Sequence, residues 1–360
     1  MGKIRIGMIG VGQISKSHLR NYAQIEDAEI VAACDIDEAE LGRVCDQYNI
    51  SNRYTDYNEM LKRDDLDSVD VCLHNRLHAP ATIAGLKAGK HVYCEKPIAA
   101  SYAEGKAMLD TAAECGKMLH IQLGTLYSKE AKAAKTLIEA GKLGKLYHAR
   151  STGHRRRGRP FVDGYGTSNF VKKEVSAGGA LYDMGIYHIA QVLYLLGLPE
   201  VERISGKIYQ ETDMDAARRE ESGYNVEELG MGLVRFADGL TMDIIESWAI
   251  HLNAFDGSYI VGSEGGIRLS PFSYHTTVCD MDMDATFNLD NMDYRLHQLR
   301  ENPDAYDSSQ HHWIAALQGR VDLLPTAQTA LRTMLIQEGI YLSDALGREV
   351  SAEEVVVEKG

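Results

Sequence analysis

The stretch KIRIGMIGVGQIS, residues 3–15, decides the fold. Lys3 to Ile9 is a short apolar run of the kind that forms a strand buried on both faces. Gly10-Val11-Gly12 interrupts it, and Gln13-Ile14-Ser15 opens a helix expected to reach about Tyr22. Gly10 permits a tight turn. Gly12 lets the backbone approach a pyrophosphate, which would rest on the free N–H groups and positive dipole end of the helix, beside Gln13 and Ile14. Ser15 replaces the third glycine of a G-x-G-x-x-G pattern and is small enough for close helix–strand packing. A second strand, residues 29–34, ends at Asp35, which lies 35 − 12 = 23 positions after Gly12. A carboxylate there accepts hydrogen bonds from ribose hydroxyls. It repels a 2′-phosphate, and Ile36-Asp37 supplies no cation, so NAD(H) is favoured over NADP(H).

Outward from this motif, strands near 69–73, 91–94 and 118–123 alternate with helices near 79–88 and 101–115. That alternation means β-α-β units and a parallel sheet with right-handed connections. After about residue 124 the pattern changes. A helix (129–140) and a strand (146–152) lead into the basic loop HRRRGRPFVDGYG. A helix near 184–196 and strand-like runs at 203–209, 230–236, 240–248 and 258–261 follow. Asp238-Gly239 reads as a hairpin turn, and a helix over 327–345 closes the pattern. The expected fold class is α/β: a Rossmann parallel sheet over 1–123, then an α+β domain with a large open, mostly antiparallel sheet over 124–360.

The composition fits this division. A chain of 360 residues exceeds the size of most single cores. No apolar run approaches the roughly 18–20 residues of a membrane helix, and the first residues read as strand and turn rather than a secretory leader. The formal charge of −14 argues against nucleic acid as a partner. Cys34, Cys45, Cys72, Cys94, Cys115 and Cys279 show no C-x-x-C spacing, which suits free thiols in a reducing, cytoplasmic setting. No metal is expected. His311-His312 lacks a second ligand pair. The acidic run from Cys279 to Asp284 has Ala285 and Asn291 where a calcium loop needs Gly and Glu, so it reads as a solvated edge.

Several motifs are then similar to one family. Ala88-Gly89-Lys90-His91-Val92-Tyr93-Cys94-Glu95-Lys96-Pro97 resembles the AGKHV-x-x-EKP signature of the Gfo/Idh/MocA oxidoreductases, which include glucose–fructose oxidoreductase and inositol dehydrogenase. Asn75 and His78 match the preceding N-x-x-H. Gly178 to Tyr187 resembles the family's GGG-x-L-x-D-x-G-x-[HY] segment, and Gln310 to Trp313 with Pro325-Thr326 resemble its later landmarks. The resemblance spans nearly the whole chain in order. It implies cofactor contacts from Asn75, His78, Glu95 and Lys96, and catalysis by Lys96, Asp183 and the residue four positions after Asp183. Many members carry His at that last position; here it is Tyr187, followed by His188. Within the family, the DMGIYHI segment and the arginine-rich loop resemble glucoside 3-dehydrogenases, which is compatible with a cofactor that stays bound and is recycled.

The residues themselves support this chemistry. Oxidising an alcohol needs a base for the hydroxyl proton and a cation for the developing alkoxide. Lys96 follows a strand end on the carboxyl edge of the parallel sheet, where ligands bind, and the Lys96–Pro97 bond can be cis. Asp183 and Tyr187, four apart, share a helix face, although Asp183 also suits an N-cap. His188 lies about 140° round an ideal helix from Asp183, and a helix start loosened by Gly185 brings it closer. Tyr187 and His188 both remain candidates for moving the proton. Arg157, Arg159 and Tyr165, with Asp183 and His312, are candidate substrate contacts. Guanidinium forks suit vicinal hydroxyls, though a solvated loop or a subunit contact explains the arginines equally well. Trp248 and Trp313 suit a core.

The expected activity is NAD-dependent oxidation of a secondary ring alcohol of a sugar, glycoside or cyclic polyol, including glucoside C3. Two alternatives are a redox-neutral NAD-dependent glycosidase and a non-catalytic NAD- or sugar-sensing regulator. The apolar runs at 230–262 make a homo-oligomer the expected assembly.

Overall fold

The run after Lys3 forms β1 (Ile4–Ile9), whose last four residues are buried. Asp37 caps the helix Glu38–Tyr48 by accepting from two of its first N–H groups, and Ser101 caps Tyr102–Glu114 by accepting from the Glu104 N–H. These and the helices Ser15–Tyr22, Tyr57–Leu61 and Asn75–Lys87 connect β1 to β2 (Ala28–Cys34), β3 (Asn52–Tyr54), β4 (Ser68–Val71), β5 (His91–Cys94) and β6 (Leu119–Ile121). All pairings are parallel and the order is β3-β2-β1-β4-β5-β6. This is the doubly wound order, in which the chain reverses direction beside β1 and leaves a crevice at the strands' carboxyl ends. The computed structural model describes residues 2–358.

The second sheet has nine strands: β7 (Leu146–His154), β8 (Val201–Tyr209), β9 (Leu229–Phe236), β10 (Thr241–Ser247), β11 (Tyr259–Gly262), β12 (Gly266–Leu269), β13 (Phe272–Val278), β14 (Met281–Ala285) and β15 (Val350–Ser351). Their order is β14-β13-β12-β11-β7-β10-β9-β8-β15. Every pair is antiparallel except β7–β10. Gly239, at φ +85°, turns the β9–β10 hairpin at the expected Asp238-Gly239. Cys279 and Asp280 both take positive φ and turn β13 into β14, so the acidic run is an edge strand. One face of the sheet packs under the helix Thr326–Leu346. A Cβ on Gly206 or Gly232 would lie within 2.8 Å of Ile340, and one on Gly339 within 2.2 Å of Ile204.

The chain divides differently from the expected 1–123 and 124–360. The compact units are Met1–Gln122 with His297–Gln328, and Leu123–Leu296 with Thr329–Gly360. The 297–328 segment rejoins the first unit because its apolar and polar groups complete that core. Trp313 and Ile314 are fully buried with Ile6, Met8 and Tyr93. The Trp313 indole N–H donates to Ser68 Oγ at 3.2 Å. His120 on β6 meets Ser309 Oγ at 2.8 Å and Thr326 Oγ1 at 3.0 Å. Trp313→Ala should lower the unfolding free energy by about 3–5 kcal/mol through cavity formation. Chemical denaturation followed by circular dichroism measures this, and an unchanged midpoint would contradict the core assignment.

Candidate active site

In the first unit the glycine turn is shaped as the motif requires. Gly10 has φ +90°, and a Cβ there would sit 2.4 Å from the Cys72 carbonyl oxygen. A Cβ on Gly12 would meet nothing within 4 Å, so that side of the turn is open to a ligand. Ser15 Oγ donates to Gly12 O at 2.8 Å. No side chain caps the helix Ser15–Tyr22, and Gln13 and Ile14 are exposed before it. Asp35 is clamped onto the turn: Oδ2 accepts from Val11 N–H at 2.8 Å and Oδ1 from Asp37 N–H at 3.0 Å. Each carboxylate oxygen keeps a further lone pair. The uncapped helix start, open Gly12 and held Asp35 fit a dinucleotide's pyrophosphate and ribose.

Lys96 follows β5, is partly buried, and its bond to Pro97 is cis. Glu95, expected to contact cofactor, instead turns inward. Its Oε2 accepts the Lys96 N–H at 2.8 Å and its Oε1 meets His18 Nε2 at 2.8 Å. The other ring nitrogen of His18 meets Asp70 Oδ2 at 2.9 Å. Burial by itself would depress the His18 pKa, but Asp70 and Cys72 beside it hold it well above its ordinary value. An imidazolium is therefore shared between two buried carboxylates. Cys72 Sγ also lies near His18 and Asp70, close enough for a three-ligand metal group. The 2.8–2.9 Å contacts at both ring nitrogens are those of charge-assisted hydrogen bonds. His18 and Asp70 were missed in the sequence although each carries a signal. His18 stands at a core position of the face Ser15, His18, Leu19, Tyr22, and Asp70 is a charge inside a fully buried strand.

His78, also expected at the cofactor, is buried with Nδ1 at 2.7 Å from Pro97 O and Nε2 at 3.0 Å from Leu73 O. Both nitrogens face backbone carbonyls, and the buried ring donates its N–H to one of them, so it packs against the loop after Lys96. Asn75 is half-buried at the first position of its helix. His312 is fully buried; Nε2 accepts from Leu324 N–H at 2.9 Å and Nδ1 lies 3.2 Å from Ala305 O. It braces the 297–328 segment and is corrected from a substrate contact to a core residue.

In the second unit, the segment after Gly178 forms two helical pieces, Ala180–Asp183 and Gly185–Leu195, broken at Met184. Gly179 is required because a Cβ would lie 1.9 Å from Glu227 O. The buried Glu227 carboxylate accepts from the Gly179 and Leu181 N–H groups at 2.9–3.0 Å. Asp183 therefore ends the first piece rather than capping the second, and its Oδ2 accepts from the Trp248 indole at 3.2 Å. Tyr187 and His188 are partly exposed in the first turn of the second piece. His188 Nδ1 lies 2.9 Å from Oε2 of Glu246, which is completely buried. Glu246 was missed, yet β10 reads TMDIIES with Met242, Ile244 and Glu246 all buried, so an acid occupies a core register.

The arginine loop divides in two. Arg157 is exposed, paired through its backbone with Ala249. Arg159 is buried, and its five N–H donors go to Asp163 (twice), Glu228, Thr212 O and Asp213 O. With every donor spent, Arg159 is corrected from substrate contact to structural knot. Tyr165 exposes part of its ring, but its hydroxyl donates to Gly158 O and meets Arg155. Burial pushes its pKa up to about 12.

Residues 4–123 match the model described as oxidoreductase family, NAD-binding Rossmann fold, and residues 131–268 match the GFO/IDH/MocA C-terminal domain. The chain belongs to the Gfo/Idh/MocA oxidoreductase family and is an NAD(H)-dependent oxidoreductase. It is 29% identical to a D-glucoside 3-dehydrogenase of Escherichia coli over 76% of this chain and 79% of that protein. It is 30% identical to a myo-inositol 2-dehydrogenase of Thermotoga maritima over 56% and 57%. Among solved structures, levoglucosan dehydrogenase in complex with NADH superposes with a TM-score of 0.81 at 20% identity, over 97% of this chain and 99% of that chain. That likeness concerns the fold. No helix among the described residues is long and apolar enough to cross a membrane.

His18→Gln should cost about 3–5 kcal/mol of stability by leaving Asp70 and Glu95 facing each other uncompensated. The raised His18 pKa gives the sign with pH. Its contribution is complete below the unfolded-state value and is lost as pH rises through the raised folded value. The gap between wild type and variant should therefore be wide at neutral pH and narrow in alkali. Denaturant titrations across pH measure it, and a gap that widens in alkali would contradict the imidazolium.

Proposed function

We propose that the chain is an NAD-dependent dehydrogenase that oxidises a secondary ring alcohol of a sugar, glycoside or cyclic polyol to a ketone, with C3 of a glucoside the leading position. The observation that carries the reading is Lys96, placed by the Glu95 clamp at the carboxyl end of β5, in a chain similar over three-quarters of its length to a D-glucoside 3-dehydrogenase.

Gly10, Gly12, Gln13 and Ile14 would hold the pyrophosphate of NAD+ and Asp35 its ribose, and the bound cofactor would supply the hydride acceptor. Lys96 donates to the substrate oxygen and stabilises the charge that develops as the carbonyl forms. Asp183, steadied by the Trp248 indole, accepts from the substrate hydroxyls and orients the ring. Tyr187 or His188 takes the hydroxyl proton. Asn75 would add a further cofactor contact. Arg157 and the partly exposed Tyr165 ring are the loop's remaining sugar contacts, since stacking and guanidinium forks both suit a pyranose. A homo-oligomer is supported by Met231 and Leu233, exposed on the face of β9 opposite the covering helix.

A redox-neutral glycosidase is the second reading, supported by a glycosyl hydrolase family 109 protein of Shewanella baltica, 32% identical over 41% of this chain and 34% of that protein. Release of nitrophenol from a chromogenic glycoside without added NAD separates the two. For the dehydrogenase, a panel of glycosides and polyols with NAD+ should produce NADH absorbance. Lys96→Ala should lower kcat by about 10²–10⁴-fold while NADH fluorescence shows that cofactor binding persists. Full activity in that variant would contradict the role given to Lys96.

A further inference from the structure

The pairing of Glu246 with His188 is the least expected feature of the second unit. Burying a carboxylate costs several kcal/mol unless a cation compensates it. Among the described residues the only ion-pair partner of Glu246 is His188. The sheet is built to hold this pair. In the parallel β7–β10 register, Glu246 lies opposite Gly153 and Ile244 opposite Ser151. Ser151 Oγ donates to Glu246 Oε1 at 3.3 Å. Gly153 leaves the space that the imidazole fills: a Cβ there would lie 2.1 Å from His188 Cε1 and 2.7 Å from Glu246 Oε2. Any other residue at 153 would evict the ring. The helix break at Met184 and the small Gly185, where a Cβ would lie 3.4 Å from Glu246 Cγ, let the second helical piece start close to the sheet.

Resting on the dehydrogenase reading, we propose that His188, and not Tyr187, exchanges the substrate hydroxyl proton, and that Glu246 is its positioning residue, seated through the notch at Gly153. An ionised carboxylate only accepts hydrogen bonds, so Nδ1 carries the proton toward Glu246 and Nε2 keeps its lone pair. The imidazole is 30% exposed while Glu246 is wholly covered, so one nitrogen is anchored and the ring still reaches the surface. As the alcohol is oxidised, its O–H proton passes to Nε2, the C–H bond breaks with hydride leaving to NAD+, and C=O forms. The imidazolium, stabilised by Glu246, then returns its proton to water.

The charged groups facing His188 are Glu246 and Arg155. Burial lowers the His188 pKa and Arg155 lowers it further, but Glu246 outweighs both and leaves it raised. Oxidation needs the neutral ring, so kcat rises with pH through that raised value and levels off above it. Removing the charge of Glu246 moves this limb to lower pH.

The test uses wild type, E246Q, H188N, Y187F and G153A with NAD+ and methyl β-D-glucopyranoside, together with NMR titration of the His188 Cε1 proton without substrate. H188N should lose about 10²–10⁴-fold in kcat, and more than Y187F. E246Q should lower both the His188 pKa and the acidic limb of the profile, with the far-ultraviolet circular dichroism spectrum unchanged. G153A should lower kcat with NADH affinity retained. A large loss in Y187F with H188N near wild type would overturn the proposal, as would a His188 pKa unmoved in E246Q. Failure of the dehydrogenase reading looks different: wild type makes no NADH, so the proton-transfer proposal falls with it, while the NMR shift in E246Q persists.

Discussion

A carboxylate taken out of water must be given a cation or enough hydrogen-bond donors, and the interior of this protein is organised around that demand. In the first unit Asp70 and Glu95 share the His18 imidazolium. In the second, Glu246 has His188, Glu228 has Arg159, and Glu227 has the backbone N–H groups of Gly179 and Leu181. Each arrangement fixes a segment that the proposed chemistry needs. Glu95 sets the backbone of Lys96, Glu227 sets the turn before Asp183, and Glu246 sets His188. The Arg159 knot with Asp163 and Glu228 roots the loop from which Arg157 and Tyr165 project.

The architecture was legible wherever hydrophobic period and glycine placement agreed. The strand, glycine turn and helix of residues 3–15, with Asp35 at the next strand end, foretold the parallel sheet, and Asp238-Gly239 foretold an antiparallel hairpin. What escaped was short or non-local. Asn52–Tyr54 has three residues and no period to read. The 297–328 segment rejoins the first unit through Trp313 and Ser68, 245 positions apart. Nothing local announces such a return.

The candidate site was legible in its motif residues and less so in what those residues do. His78, Glu95, Arg159 and His312 all bear polar groups that suit a ligand, and in all four those groups are engaged within the fold. The difference lies in burial and partner geometry, which a residue type does not encode. Conversely, Glu246 and His18 look ordinary by type and stand out only by register, as charges placed where Met242, Ile244 and Leu19 mark a core face. An ionisable group on an apolar period is the signal that periodicity alone passes over.

The central claim is that this chain oxidises a ring alcohol of a sugar to a ketone product, with net reduction of NAD+. The most direct measurement is transfer of deuterium from a glucoside labelled at C3, incubated with the protein and NAD+, followed by mass spectrometry of the reduced nucleotide. Label in the nicotinamide, with a 3-ketoglucoside as the other product, is the predicted result. Cleavage of the glycosidic bond with no label in the accumulated nucleotide would contradict it.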